Sequence, residues 1–505
     1  MWAPSSCVKR VFAAFVVISL CASCATRRPA HQVLQQKYAP EQLRNELALL
    51  KNILEANHPS LYWYTSKDSI DYYFSTAIAG ITDSLTLPAY RNKLSWVVGK
   101  IRCGHTAVRY PGSFAEASMR QRGMQFPLSI KTWGDSMVVV GAAPGAADSI
   151  FKRGTIITGI NGYTNRQLLD SMFELMSTDG YADNFKSQLA SFNFPAYYRT
   201  AFGSDSVYRV QYIDSMGKEQ TFSLRTFTPK KDSTMRRPGR PPIGMMPPLT
   251  RKERKRAEKT SIRSLGVDTA LNTGYMRLTT FSNGNLRRFF RQSFRLLRKE
   301  NIGNLIIDLR ENGGGSIAVS TRLSRYIADH PFKVADTVAA KSRRFRYGSY
   351  IHPSWLYWIS MRATSRKRKD GLYHFGFYER HHFKPLKKNH FNGQVYILQG
   401  GFTFSAATMF ISELKGQANV HSTGEETGGG NYGNSSVHLP VIKLPYTKMQ
   451  ITLPMYRIVL DSTRAKNGRG VMPEIYVSPS SVDLRKGIDN KIQKVKDLIQ
   501  QSQQQ

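Results

Sequence analysis

A serine stands where a strand pattern turns into a helix pattern, in the stretch YILQGGFTFSAATMF (residues 396–410). A β-branched and aromatic run leads into two glycines, and a small-residue helical pattern follows Ser405. Serine commonly caps a helix there, because its hydroxyl accepts a hydrogen bond from the first turn. A nucleophile would instead gain exposure at the carboxyl end of a strand, and the field of the helix N-terminus. The local sequence leaves both interpretations open.

A second loop that could take part in catalysis is DLRENGGGS (residues 308–316). In it, three glycines lie between a buried strand and a helix. Glycines permit positive φ and close backbone approach, and a helix N-terminus adds unpaired N–H groups. Such a loop suits an oxyanion, and we expect the N–H groups of Gly314 and Ala406 to form an oxyanion hole. Phosphate binding is the competing interpretation, but the phosphate-loop and dinucleotide-binding glycine patterns are missing.

Several motifs, in order, resemble one peptidase family. LIIDLRENGGG, GGFTFSAATMF and STGEETGGG look like the core of the C-terminal processing (tail-specific) and tricorn-core serine peptidases, and GRGVMPEIYV resembles that family's ending. Upstream, GHTAVRY, ANHPSLYWY and RGTIITGINGYT resemble its Gly-His-Thr motif, leading helical region and PDZ-type module. The resemblance implies an α/β fold: a ClpP/crotonase-like catalytic domain, a PDZ-like β-rich module and an N-terminal helical region. It also implies that Ser405 is a nucleophile.

The resemblance narrows the choice of base. One branch of the family pairs the serine with a downstream lysine, but that spacing falls here on Gly430, and no lysine lies between Lys415 and Lys443. Lys415 ends the helix that Ser405 begins, about 15 Å away at ~1.5 Å per residue. The tricorn-like branch uses an upstream histidine, which His105 matches. Imidazole is a suitable base because its ordinary pKa is ~6.5. Without the family match, a structural histidine would be the simpler interpretation.

A histidine base needs a partner that orients its ring. The acid that usually precedes the Gly-His-Thr motif is replaced by Cys103, and the distal segment RAKNGRGV has no carboxylate. The candidates for this orienting role are Thr106, Glu425, Asp461 and Asn467. A missing carboxylate would slow catalysis without abolishing it.

We expect no metal and no cofactor. The other histidines considered lack the spacing to carboxylates that metal sites show. Two of them, His381 and His382, are adjacent and would face opposite ways on a strand. The full set is His352, His374, His381, His382 and His390. Of the four cysteines, only Cys103 lies well beyond the leader. A disulfide framework and a Cys₄ or Cys₂His₂ zinc site are therefore excluded.

We expect the chain to begin with a leader. Two basic residues precede an apolar run, residues 11–20, that is too short for a permanent membrane span, so we expect a cleavable signal. The run ends in LCASC, which resembles a bacterial lipobox with Cys24 as the acylated residue. Ordinary cleavage near Ala25 is the alternative. We expect an exported protein of the bacterial envelope, in the periplasm or at the outer membrane, with an N-terminal lipid anchor.

The composition changes along the chain and suggests its organisation. A leucine stripe indicates helices near the start, alternating strands indicate a β-rich module, and repeated strand–helix units from residue 274 predict a mostly parallel sheet covered by helices. The expected segments are a signal (1–24), a helical region (25–118), a PDZ-like domain (119–228), a basic linker (229–262), a catalytic domain (263–485) with an insertion or cap (330–394), and a C-terminal helix and tail (486–505).

The chain is strongly basic, with 72 Lys and Arg residues against 35 acids and a net charge of +37. Residues 230–259 contain eleven of the cations against three acids, with many prolines, which predicts an exposed, disordered linker. A nucleic-acid or membrane patch is the alternative interpretation. Since we expect export, the expected neighbours are anionic lipids and glycans, and nucleic acid is not an expected partner.

These observations predict a serine endopeptidase that acts on exported proteins or peptides, with Ser405 as nucleophile and His105 as base. The PDZ-like module would capture an extended peptide by strand addition. One alternative is a catalytically impaired, peptide-binding lipoprotein on the same fold, because the base-orienting set is weak. Another is a polyanion-binding envelope lipoprotein, because the charge is high.

Overall fold

The computed structural model describes residues 29–120, 123–145, 149–228 and 250–504. The leader with Cys24, and residues 229–249 of the basic linker, lie outside these ranges. Among the helices of the described ranges, none combines the length and the apolar character needed to cross a bilayer.

The N-terminal region is helical, as predicted. Its elements are α1 (Ala30–Gln35), β1 (Lys37–Tyr38), α2 (Pro40–Asn57), α3 (Lys67–Ala79), β2 (Leu85–Thr86), α4 (Leu87–Lys100), β3 (Val108–Arg109) and α5 (Gly112–Arg120). Proline in the first turn begins α2, and its leucine stripe is completely buried at Leu43, Leu47, Leu50 and Leu54. The ends of α2 and α4 carry the loops that contain His58 and His105.

A β-rich module with three helices follows. Its elements are β4 (Leu128–Trp133), β5 (Ser136–Ala142), β6 (Ile156–Ile160), β7 (Tyr163–Thr164), α6 (Asn165–Phe173), α7 (Asp183–Phe192), α8 (Phe194–Phe202), β8 (Val207–Ile213) and β9 (Glu219–Arg225). The strands form an antiparallel sheet in the order β4-β5-β6-β8-β9, with β7 paired to β6. Alternate residues of β4 are buried under the helices, as its polar–apolar alternation requires.

The rest of the chain forms the largest α/β unit. Its elements are α9 (Arg251–Ile262), β10 (Arg263–Asp268), β11 (Thr273–Leu278), α10 (Leu286–Lys299), β12 (Asn304–Asp308), α11 (Ile317–Ser324), β13 (Thr337–Ala340), a 3₁₀ turn (Gly348–Tyr350), β14 (Ile351–His352), α12 (Ser354–Thr364), β15 (Arg366–Lys367), β16 (Tyr373–His374), α13 (Gly376–Arg380), β17 (Gln394–Gln399), α14 (Ala406–Leu414), β18 (Val420–Gly424), β19 (Gly433–Ser436), β20 (Val441–Lys443), β21 (Gln450–Thr452), β22 (Tyr456–Val459), β23 (Ile475–Tyr476), α15 (Ser481–Lys486) and α16 (Asn490–Gln504).

The central sheet of this unit has the order β10-β11-β12-β17-β18-β23 and is parallel from β11 onwards. Every residue of β12 is buried, as expected for a strand covered on both faces. Helices α10, α11 and α14 pack on one face, and α16 packs on the other. The predicted α/β fold with a mostly parallel catalytic sheet is confirmed.

Two smaller sheets were not predicted. One has the order β15-β16-β13-β22-β19, and the other is β14-β20-β21-β3. The insertion 330–394 supplies β13 to β16, so much of it is built into these sheets and does not form a separate cap. Its helix α12 is different, because Trp355, Leu356 and Ile359 on it are exposed.

The basic linker does not stay irregular to its predicted end. Residues 251–262 form α9, all of whose residues are exposed or half-buried. Thr250 and Glu253 make a reciprocal capping box at its start, and the run that follows is rich in Arg, Lys and Glu, which are strong helix formers. High charge predicted disorder here, but the cap and the helix propensity favour a helix.

Candidate active site

The parallel sheet brings the two chemistry-bearing loops together. Strands β12 and β17 are neighbours, with Asp308 opposite Leu398, so the loops that follow them leave from the same edge. Thr403 Oγ1 donates a hydrogen bond to the Leu309 carbonyl at 2.9 Å, and the Phe404 N–H donates to the Asn312 carbonyl at 3.1 Å. These bonds fix the Ser405 turn against the glycine loop.

Ser405 occupies a strained position between β17 and α14. Its φ of 54° and ψ of −124° lie outside the regions that residues with a β-carbon favour. It stands at the N-cap position, yet its side chain makes no capping hydrogen bond. The capping interpretation is therefore wrong for the hydroxyl. Strain of this kind at a strand-to-helix turn is common where a side chain must be presented to a ligand.

The glycine loop fits closely around this turn. Gly314 has φ of 94°, and a β-carbon there would lie 2.7 Å from Ser405 Cβ and 2.9 Å from the Ala406 nitrogen. Only a glycine leaves room at this point. Gly429 closes the other side, because a β-carbon on it would lie 3.1 Å from the Ser405 nitrogen.

The predicted oxyanion donors differ in availability. Across the described ranges, the Ala406 N–H has no hydrogen-bond acceptor in the protein, so it is free to bind an oxyanion. The Gly314 N–H donates to Asn312 Oδ1 at 2.9 Å. The prediction for Gly314 is therefore corrected: it supplies space beside Ser405, while its amide holds the loop through the buried Asn312.

His105 comes to the same place from the N-terminal region. Its ring lies against the ring of Phe404, with 4.7 Å between centroids and 36° between planes. The preceding Gly104 is equally close, because a β-carbon there would lie 2.6 Å from Phe404 Cζ. Since Phe404 directly precedes Ser405, the fold brings the predicted base to the turn that carries the predicted nucleophile, across 300 residues of sequence.

The imidazole is half-buried, with its Nδ1 atom buried and not hydrogen-bonded. Burial lowers the pKa of His105 to about 4, so the ring is neutral near pH 7 and able to accept a proton. Its Nδ1 atom has no hydrogen-bond partner in the described structure, and no hydrogen bond there joins the ring to Ser405 Oγ. The predicted base thus lies against the turn that carries Ser405, but no hydrogen bond between His105 and Ser405 Oγ is present in the described structure.

None of the four predicted orienting residues hydrogen-bonds to His105 in the described ranges. Thr106 Oγ1 contacts His58 Nε2 at 2.9 Å. Glu425 forms an ion pair with Lys491, and Asp461 pairs with Arg464 at 3.1 Å. Asn467 accepts a hydrogen bond from the Arg469 N–H at 3.0 Å. The orienting predictions are corrected, because each side chain is engaged elsewhere.

Sequence reasoning missed Asp179, in the loop between α6 and α7. Its Oδ1 accepts a hydrogen bond from the Gly104 N–H at 2.8 Å, while its Oδ2 is buried without a partner. Burial, opposed by the N–H groups of Gly104 and Gly430, raises the pKa of Asp179 to about 7. The carboxyl therefore holds the backbone directly before His105. The segment STDGY gave no signal, because an Asp-Gly pair is typical of any turn.

The described residues contain no group of three or more His, Cys, Asp or Glu side chains that could hold a metal ion. His374, one of the histidines considered above, hydrogen-bonds to Glu379 and Asp370 at 2.7 and 2.8 Å, and a two-carboxylate contact of this kind orients a ring in a structural role.

Comparison with known proteins gives one family and a set of similar folds. Residues 272–477 match Peptidase family S41. The crystal structure of mature CPAF is similar, with 14% identity, a TM-score of 0.61, and coverage of 92% of this chain and 97% of that one. A serine-to-alanine mutant of CPAF gives 12% identity, a TM-score of 0.63, and coverage of 92% and 97%. Comparison with curated proteins gives no match.

Proposed function

We propose, from the membership of residues 272–477 in peptidase family S41, that this serine-type peptidase cleaves peptide bonds with Ser405 as nucleophile and His105 as base. The observation that carries the proposal is the strained Ser405 turn, which leaves the hydroxyl uncapped beside the free Ala406 N–H. The His105 ring on Phe404 supplies a neutral base at the same site.

The proposed reaction has two stages, formation of an acyl ester on Ser405 and its hydrolysis by water. Ser405 Oγ attacks the peptide carbonyl carbon while the His105 imidazole accepts the hydroxyl proton. The carbonyl oxygen becomes an oxyanion and accepts a hydrogen bond from the Ala406 N–H. Collapse breaks the C–N bond, and the imidazolium returns its proton to the leaving amine. Water then hydrolyses the acyl ester by the same steps, which regenerates the serine. Serine–histidine contacts are often long in free enzymes and tighten when substrate binds.

A second function is favoured by one observation. His105 has no orienting partner at Nδ1 and no hydrogen bond to Ser405 Oγ in the described structure. A protein in which this contact never forms would bind peptides on the same surface without cleaving them. The two functions differ in their reaction with a fluorophosphonate probe, which forms a covalent bond only to an activated serine. Labelling that requires Ser405 supports the peptidase, whereas peptide binding without labelling supports the binding protein.

We further propose that the substrates are exported proteins or peptides and that Cys24 carries a lipid anchor. The leader pattern of the sequence supports this proposal. Mass spectrometry of the mature N-terminus is the direct test. An acylated Cys24 supports the anchor, while an unmodified terminus near Ala25 would replace it with ordinary signal cleavage.

Gly314→Ala is expected to abolish hydrolysis. The added methyl group would lie within 3 Å of Ser405 Cβ and the Ala406 nitrogen, at a φ that disfavours it, so it would displace both nucleophile and oxyanion donor. Gly313→Ala is the matched control, because a β-carbon there has nothing within 4 Å. Turnover of a fluorogenic peptide and the melting temperature should be measured for both. Equal activity of the two variants would contradict the described turn.

Asp179→Ala is expected to lower kcat by about tenfold to a hundredfold, with little change in KM, because small errors in positioning a catalytic group are costly. The reason is loss of the hydrogen bond to the Gly104 N–H that holds the His105 loop. Asp179→Asn retains an acceptor oxygen and should restore most of the rate. An equal loss in both variants would show that the carboxyl acts through its charge and not as an acceptor.

A further inference from the structure

A recess lies against the loop that follows α2, and His58 of that loop contacts Thr106, the neighbour of His105. It is a cavity of about 330 Å³ between the loop that follows α2 and strands β13 and β22. We call it the cationic pocket. Its lining includes His58, Trp63, Lys341, Arg457 and Lys466. The proposed reaction uses none of these residues.

Arg457 enters this pocket from the middle of a sheet. It lies opposite Ala339 on one neighbouring strand and Ser435 on the other, so the three side chains share a face. Ser435 Oγ donates to Ser60 Oγ at 2.7 Å, which fixes the loop of Trp63 over that face. The Nε atom of Arg457 is buried and has no hydrogen-bond partner in the described structure.

Two lysines stand at the exposed rim. Lys466 Nζ lies 5.6 Å from the Trp63 ring centre and 5.9 Å from that of Tyr64. Burial, together with the neighbouring Arg457 guanidinium, lowers the pKa of Lys466. The Lys341 Nζ donates to the Glu55 backbone carbonyl at 2.6 Å. Within the described ranges, no carboxylate forms an ion pair with Lys341, Arg457 or Lys466.

The pocket therefore holds positive charge that the protein does not neutralise. Glu55, whose charge acts on Lys341, is already bound by Lys51 at 2.7 Å and by the Tyr62 hydroxyl at 3.0 Å. An unpartnered guanidinium N–H in a recess costs free energy, and a bound carboxylate would satisfy it with a charge-assisted hydrogen bond. The Trp63 ring offers an apolar wall for the aliphatic part of such a ligand.

One residue of the pocket contacts the neighbour of the candidate base. His58 lines the pocket, and its Nε2 contacts Thr106 Oγ1 at 2.9 Å. Thr106 directly follows His105. A group held in the pocket would thus contact a residue that hydrogen-bonds to the neighbour of the base.

We propose that the cationic pocket binds a carboxylate of the peptide substrate, either an acidic side chain or the C-terminal carboxyl group. The inference rests on the proposed function for the nature of the ligand, a peptide, but it does not require cleavage. Arg457 binds the carboxylate through its guanidinium, and Lys341 and Lys466 add charge at the rim. The enzyme accordingly selects substrates that carry an anionic group.

The test measures binding to the Ser405→Ala protein, so that turnover cannot alter the ligand. Four fluorescein-labelled decapeptide pools are used, with uncharged residues at the variable positions. Each pool has Glu or Gln at one central position, and a free carboxylate or an amide at its end. Fluorescence anisotropy gives the affinities. Lys466→Met and Lys341→Met are each introduced separately into the Ser405→Ala protein. The matched control is Lys299→Met, at an exposed lysine at the end of α10.

Either the central Glu or the free C-terminal carboxylate should improve the affinity by about tenfold over the matching Gln or amide pool, the usual effect of one charge-assisted hydrogen bond. Improvement in the Glu pools assigns the pocket to a side chain, and improvement with the free end assigns it to the C-terminus. Lys466→Met and Lys341→Met should reduce that gain, and Lys299→Met should not. Equal binding of all four pools, or a gain that survives both rim variants, would overturn the proposal. Absence of cleavage by the wild-type protein would count only against the proposed function.

Discussion

Replacing Ser405 with alanine should reduce kcat for peptide hydrolysis by about 10⁴-fold or more, the usual cost of removing a catalytic nucleophile. The same change should abolish covalent labelling by a fluorophosphonate probe. The reason is local, because Ser405 makes no capping hydrogen bond and its loss breaks no structural contact of the hydroxyl. Ser75→Ala, at an exposed serine of α3, is the control for a neutral serine substitution.

A loss of rate alone would not separate chemistry from misfolding, and the strained turn offers a way to do so. Glycine tolerates positive φ, so Ser405→Gly should relieve strain of about 1–2 kcal/mol while also removing the nucleophile. The expected outcome is an inactive protein that melts at a higher temperature than the wild type. Residual hydrolysis above 10% in either variant would mean that another residue attacks the peptide.

The sequence was most informative where structure is determined locally. The leucine stripe of α2 and the apolar run of β12 could be read directly, because burial of one helix face or both sheet faces imposes its own periodicity. The juxtaposition of Ser405 and His105 could not be derived that way. It came from a resemblance to a family, and the contact that realises it, His105 on Phe404, is a packing detail that no spacing rule encodes.

The errors have a common physical origin. Gly314 was predicted as an oxyanion donor from the type of loop, but the side chain of Asn312, two residues earlier, claims its N–H. Asp179 was overlooked because its importance depends on a tertiary contact with Gly104, from a different part of the chain. Arg457 lies in a short strand and gave no sign in sequence that its Nε would face a recess without a partner. In each case a hydrogen bond made or missing between loops decides the role.

The pH profile tests His105 more sharply than its removal does. A base must be unprotonated to accept the serine proton, so activity falls as pH drops through its pKa. Burial lowers the pKa of His105 to about 4. The value of kcat/KM should therefore fall only below about pH 5. A solvent-exposed histidine would give this limb near pH 6.5. An acid limb at pH 6.5 would mean that the surroundings of the ring do not lower its pKa in the active free enzyme.

Asp179 adds a second ionisation that the same profile can separate. Its pKa of about 7 lies above its ordinary value because burial disfavours the charge, so any effect of its ionisation appears as pH rises through 7. Asp179→Asn should remove that inflection and leave the limb near pH 4 unchanged.

His105→Gln completes the test, with an expected loss in kcat of about 10²- to 10⁴-fold, the usual contribution of a general base. It should remove the limb near pH 4, because no group with that pKa would then control the rate. His31→Gln, an exposed histidine of α1, should change neither rate nor profile. Full activity of His105→Gln would exclude the histidine as base. Because Gly430 stands where the lysine of the other branch would be, the base for Ser405 would then have to be another titratable group, of which Asp179, bound to the Gly104 N–H, is the first to test.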